Sequence, residues 1–175
     1  NVNIAQGFRE PAQFAQQTHD GKLTQATYDN FQLIRERFGQ VPGGLFGADE
    51  NAREGYDDPR QGYETCGIVE HLLSDQMLLC ITGDAFWADH IEQVAFNQSP
   101  ASFMPDYRAL RYLVAPNQVT VDRHNHNPGI DNTGSFFMMN PLSHRCCQHN
   151  HSHMWTNMVQ AIYTATQDNG LCVAV

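Results

Sequence analysis

The segment from Thr65 to about Thr82 constrains this chain more than any other, because it is apolar on most of its faces. Val69, Leu72, Leu73, Gln76 and Cys80 run down one side, and the other sides carry Ile68, Leu78 and Leu79. A helix of that kind must be covered nearly all round, so it predicts an interior helix wrapped by others. Gly83 is placed to end it, and Asp84 to cap a following helix through Asn97 that carries Phe86, Trp87, Ile91, Val94 and Ala95.

The same reading extends along the chain. Pro11 near a first turn predicts a helix over 8–18. Thr24 as cap, with Tyr28, Phe31, Ile34 and Phe38 at helical spacing, predicts another over 24–38, stopped by Gly39. A last helix is expected from about Asn150 to Thr166, with Met154, Trp155, Met158, Ile162 and Tyr163 on its apolar side. Two short β-like runs, 110–114 and 118–121, interrupt the helical pattern. Residues 39–63 and 122–145 read as long polar loops, and loops of that length are usually functional or disordered. Helical hairpins joined by such loops predict a mainly α fold, part of an (α/α)6 toroid. At 175 residues the chain is read as one region, 1–175. Asn1 at its start and the apolar run 171–175 at its end read as those of a piece of a longer protein.

Charge narrows the function classes. Ten Lys+Arg against 19 Asp+Glu give a formal net charge of −9, and Lys22 is the one lysine. That excludes a basic nucleic-acid footprint and a polybasic membrane patch. No run approaches the roughly 18 apolar residues of a membrane span.

Cysteine and histidine carry the chemistry. The five cysteines, Cys66, Cys80, Cys146, Cys147 and Cys172, are odd in number and include an adjacent pair, a poor fit to a disulfide framework. Cys80 and Cys172 lie in apolar runs and read as packing residues. Glu64-Thr65-Cys66 opens the buried helix, and Cys146-Cys147 stands just ahead of the last one. Three thiolates and a carboxylate fill a tetrahedral zinc shell, and helix N-termini behind them favour anionic ligands. The alternative is that Cys66 is a small core residue and the Cys pair a coincidence, since free cysteine is commonly buried.

Six of nine histidines fall between 124 and 153. His149 and His153 would share a helix face as a metal pair, or with His151 form a polar rim against a sugar or solvent. His124 and His126 are placed to meet substrate hydroxyls, whereas His19, His71 and His90 stand outside any constellation and read as structural. The acidic loop offers Asp49, Glu50, Glu54, Asp57 and Asp58 as general acid/base, or simply a solvated acidic surface.

Taken in order, Asn3, Gly43-Gly44 followed by Glu50, Glu64-Thr65-Cys66, Ala95-Phe96-Asn97, and Cys146-Cys147 with Asn150 resemble glycoside hydrolase family 127, the β-L-arabinofuranosidases. The resemblance spans nearly the whole chain and corresponds to the middle to late part of the family's (α/α)6 catalytic domain. It implies a retaining hydrolase acting on a terminal furanosidic sugar of an oligosaccharide or plant polysaccharide. It further implies zinc held by Glu64, Cys66, Cys146 and Cys147, with Cys146 as nucleophile and Glu50 as acid/base. Tyr112 falls near a family tyrosine that lines the sugar site. Where the family has prolines after the cysteine pair, Gln148-His149 stand here, which points to His149 as a sugar contact and to another pectic sugar as the alternative substrate. The resemblance also leads us to expect the remainder of the barrel as a partner, and either periplasm or cytoplasm suits it. Two other classes stay open from the residues themselves: a zinc-stabilised structural or carbohydrate-binding module without catalysis, and a zinc-water hydrolase with histidine ligands.

Overall fold

The computed structural model describes residues 2–39, 45, 63–108, 110–114, 138–139 and 145–175, and these are mainly helical. Three helices open the chain: α1 (Val2–Gly7), α2 (Glu10–Thr18) and α3 (Gly21–Phe38). Pro11 sits in the first turn of α2, where its missing N–H costs nothing, and His19 ends that helix in a left-handed conformation. The helix expected over 24–38 starts three residues earlier. Asp20, not Thr24, is its cap: the carboxylate accepts from Lys22 N–H at 2.9 Å, which an interior Thr24 cannot do. Across the α2–α3 contact, Thr27 Oγ1 accepts from Ala12 N–H at 2.9 Å and so satisfies one of the orphan amides of the α2 N-terminus.

The interior helix is α4 (Thr65–Thr82), with the boundaries its sequence predicts. Gly83 closes it at φ +66°, a left-handed position that an L side chain would strain, and donates its N–H to Leu79 O. Helices α1, α2 and α5 (Ala85–Gln93) and the late helix α6 (Arg145–Ile162) all pack on α4. Ile68, Leu72 and Leu78 of α4 are fully buried with Trp87 and Ile91 of α5 and, nearly so, Met154 and Ala161 of α6. Ser74 ties α1 to α4 by donating to Ala5 O at 2.5 Å, and Arg9 donates to the same hydroxyl at 2.8 Å.

Several expectations need correcting. The helix after Gly83 is α-helical to Gln93 only. Its continuation widens into a π-turn, Val94–Gln98, and tightens into a 3₁₀ turn, Ser99–Ser102, entered by Pro100. Helix α6 begins at Arg145, five residues before the expected start, and ends at Ile162. Its expected last turn is instead strand β5 (Tyr163–Ala165) of a hairpin with β6 (Leu171–Val173). Cys80 is exposed and Cys172 half-buried, so neither is a core residue. The 110–114 run is two short strands, β2 (Leu110–Arg111) and β3 (Leu113–Val114). Strand β3 pairs with β1 (Tyr63–Glu64), and β2 pairs with β4 (Met138–Met139). The run 118–121 lies outside the described residues.

Asp84 links α3 to α5. It caps α5 through Phe86 N–H at 2.9 Å and accepts from Tyr28 Oη of α3 at 2.9 Å, while that hydroxyl accepts from Trp87 Nε1 at 3.2 Å. Asp84→Ala is expected to cost about 1–2 kcal/mol, read as a lowered denaturant midpoint, with Asp84→Asn retaining most of it.

Candidate metal centre

Helix α4 starts where it does because the strand before it is held on both sides of the turn. Glu64 pairs with Leu113, Thr65 N–H donates to Tyr112 O at 3.0 Å, and Thr65 Oγ1 donates to Arg111 O at 2.5 Å. Arg111 is anchored in turn by donating to Ala101 O at 2.7 Å. Glu64 thus ends a strand and Cys66 is the second residue of a helix, so both side chains converge on one point. Packing of α4 against α6 brings the first turn of α6 to the same point. Cys146 and Cys147 lie inside that turn rather than ahead of it, at a helix N-terminus whose dipole favours anionic ligands.

One ligand atom from each of Glu64, Cys66, Cys146 and Cys147 lies within 4.8 Å of the other three. Cys66 Sγ stands 3.3 Å from Cys147 Sγ, and Cys147 Sγ 3.8 Å from Glu64 Oε1. Glu64, Cys66 and Cys147 are buried, whereas Cys146 is exposed. Three sulfurs and a carboxylate at this spacing match the donor set of a closed tetrahedral zinc site, with no protein donor wasted on a hard cation.

The electrostatics say why such a cluster wants a cation. The hydrogen bond with Cys147, burial and the nearby Glu64 charge all push the Cys66 thiol far up, and the Asn150 side chain opposes them weakly. Burial, then the neighbouring Cys66 and Glu64, push Cys146 up as well. Crowded anions resist ionising together, so a metal entering here must displace protons. The sign follows: affinity for a thiolate-bound ion such as zinc is expected to rise with pH, by up to about three log units per pH unit if all three thiols lose their protons. Competition titrations between about pH 6 and pH 8 would show it, and a flat profile would contradict thiol ligation.

The other residues singled out from sequence fare differently. Tyr112 is buried beside Cys66 and Cys147, in one cluster with Leu113. Beyond them Tyr63 is pushed up to about 12 by burial, against the opposing Arg111 charge, and stays neutral. His149 is exposed on α6, and His151 packs its ring on Phe103 at 4.4 Å. Glu50, with Asp49, Glu54, Asp57, Asp58, Gly43-Gly44, His124 and His126, lies outside the described residues. A second cluster was not visible along the sequence: His71 and His90, read there as structural and outside any constellation, meet Asp75 in the core. The signal present was the four-residue step from His71 to Asp75; the missing part was the α4–α5 hairpin that adds His90.

Among the described residues no helix is long and apolar enough to cross a membrane. No curated protein matches the chain. The family model described as β-L-arabinofuranosidase, GH127 catalytic domain, matches residues 1–160, which contain the whole Glu64/Cys66/Cys146/Cys147 cluster. The chain therefore belongs to that family and is a glycoside hydrolase.

Proposed function

We propose that the chain forms part of a retaining glycosidase that removes a terminal furanosidic sugar, of the β-L-arabinofuranoside type, from a plant-type glycan. The observation that carries this reading is the meeting of Glu64, Cys66, Cys146 and Cys147 from two distant stretches of sequence, with Cys146 alone open to solvent. A buried sulfur can hold a metal but cannot reach a sugar; an exposed one can do both. Helix α4 and the strand register behind it support the reading by fixing the direction of Glu64 and Cys66.

In this account Glu64, Cys66, Cys146 and Cys147 hold zinc, whose role when bound is to keep the thiols ionised at neutral pH. Cys146 Sγ attacks the anomeric carbon as the bond to the leaving oxygen breaks, and Glu50 gives that oxygen its proton. Water then attacks the same carbon from the face the leaving group vacated. Glu50 takes the water's proton, and the carbon–sulfur bond breaks to restore the Cys146 thiolate. Two inversions give retention. Tyr112 and His149 are the proposed sugar contacts.

Covalent trapping tests the reading. An electrophilic furanose analogue should add one label per chain, and peptide mass spectrometry should place it on Cys146. No label on an active enzyme, or a label on Cys80 alone, would sink the cysteine-nucleophile mechanism and leave the metal a structural role.

A further inference from the structure

His71 and Asp75 stand one turn apart on the same face of α4, and His90 faces them from α5. His71 and Asp75 are fully buried and His90 nearly so, at 6% exposure. His90 Nδ1 lies 2.7 Å from Asp75 Oδ2, and His71 Nε2 lies 3.8 Å from Asp75 Oδ1. One donor atom of each falls within 4.8 Å of the others. Yet the set is not closed by hydrogen bonding: Asp75 Oδ1 and His90 Nε2, both out of contact with solvent, make no hydrogen bond among the described residues. Buried polar atoms left in that state lose their hydration with nothing in exchange, so they call for a partner.

We propose that His71, Asp75 and His90 form a second metal site, separate from the thiolate centre, that takes a divalent ion of the zinc class. Two imidazoles and one carboxylate suit borderline ions such as zinc, whereas magnesium and calcium require more oxygen donors than this cluster offers. The i,i+4 step on one helix plus a third ligand from its hairpin partner is a rigid way to present three donors. The surroundings are dry and aromatic. Phe8 packs edge-on against His71 at 5.1 Å, and Phe31 against both imidazoles at 5.8 and 5.5 Å. Phe86 stacks on His90 at 6.2 Å. Phe31 and Phe86 also line a surface cleft of about 710 Å³ whose charged residues are Asp29, Arg35, Glu36 and Asp84, three acids against one cation. A metal there would pin the α4–α5 hairpin, and so bear on stability rather than on the sugar chemistry.

The test is a titration of metal-free protein with cobalt(II) and zinc(II), in the wild type, in His90→Gln and in Cys66→Ser. Two equivalents should bind the wild type. Cobalt should show sulfur-to-metal charge transfer for one equivalent and weak d–d bands alone for the other. His90→Gln keeps a hydrogen-bond donor toward Asp75; it should bind one equivalent and retain the sulfur bands, while Cys66→Ser should retain the sulfur-free equivalent. A wild type that saturates at one sulfur-ligated equivalent overturns the proposal, as does a folded His90→Gln that binds as many ions as wild type. Because the wild-type stoichiometry decides by itself, the result does not depend on either variant folding. Failure of the thiolate centre would read differently: no sulfur bands, with the sulfur-free equivalent still bound.

Discussion

Cys146→Ala is expected to lower kcat/KM on a furanoside by at least about 10³-fold while leaving the far-ultraviolet circular dichroism of the chain unchanged. The size follows from the role. A nucleophile is used in both chemical steps, and nothing else in the cluster can substitute for it, since Cys66 and Cys147 are buried behind it. Cys146 is itself exposed, so its truncation leaves no cavity in the core. Loss should fall on kcat rather than KM, because sugar contacts remain. Activity within about tenfold of wild type would remove Cys146 from the chemistry.

Glu50→Gln is the second large effect, expected at about 10²–10⁴-fold. An amide neither gives a proton to the leaving oxygen nor takes one from water. The deficit in the first step should shrink for an aryl furanoside, whose leaving group departs without protonation, and the limb of the pH–rate profile that reports the acid should disappear. Asp49→Asn, Glu54→Gln, Asp57→Asn and Asp58→Asn serve as comparisons from the same stretch of sequence, each expected to act within about threefold of wild type. A loss of the predicted size at one of these, with Glu50→Gln nearly unaffected, would move the acid/base to that residue.

The fold was legible where local chemistry and burial agreed. Helix α4 was legible from Thr65 to about Thr82 because its apolar faces continue over that span and Gly83, found at positive φ, ends it. Helix α3 was legible in its apolar face but not at its start, since Asp20 and Thr24 are both good caps and propensity does not choose between them. The start of α6 was hidden for the opposite reason: Arg145-Cys146-Cys147 carries no helix-forming signal, and packing on α4 draws it into the helix. At the other end, Tyr163-Thr164-Ala165 continues the helical pattern in sequence, but pairing with Leu171–Val173 converts it to a strand. The π-turn at Val94–Gln98 has no signature in composition.

The site divides along the same line. Glu-x-Cys and Cys-Cys were visible as two elements of ligand chemistry, but their meeting is a tertiary fact made by the α4–α6 contact. What sequence could not show was which sulfur faces solvent, because that depends on how far the first turn of α6 is covered. The His71–Asp75–His90 cluster escaped for a related reason: its third member comes from another helix, and single histidines on apolar faces are ordinarily core residues.

One zinc held by Glu64, Cys66, Cys146 and Cys147 would join two distant parts of the chain. Metal content per chain, measured on the wild type and on Cys66→Ser together with the cobalt spectrum of each, tests it most directly. A sulfur-ligated ion is expected in the wild type and is expected to be lost in Cys66→Ser. A folded wild type without any sulfur-ligated metal, or a Cys66→Ser variant whose sulfur bands match those of wild type, would contradict it.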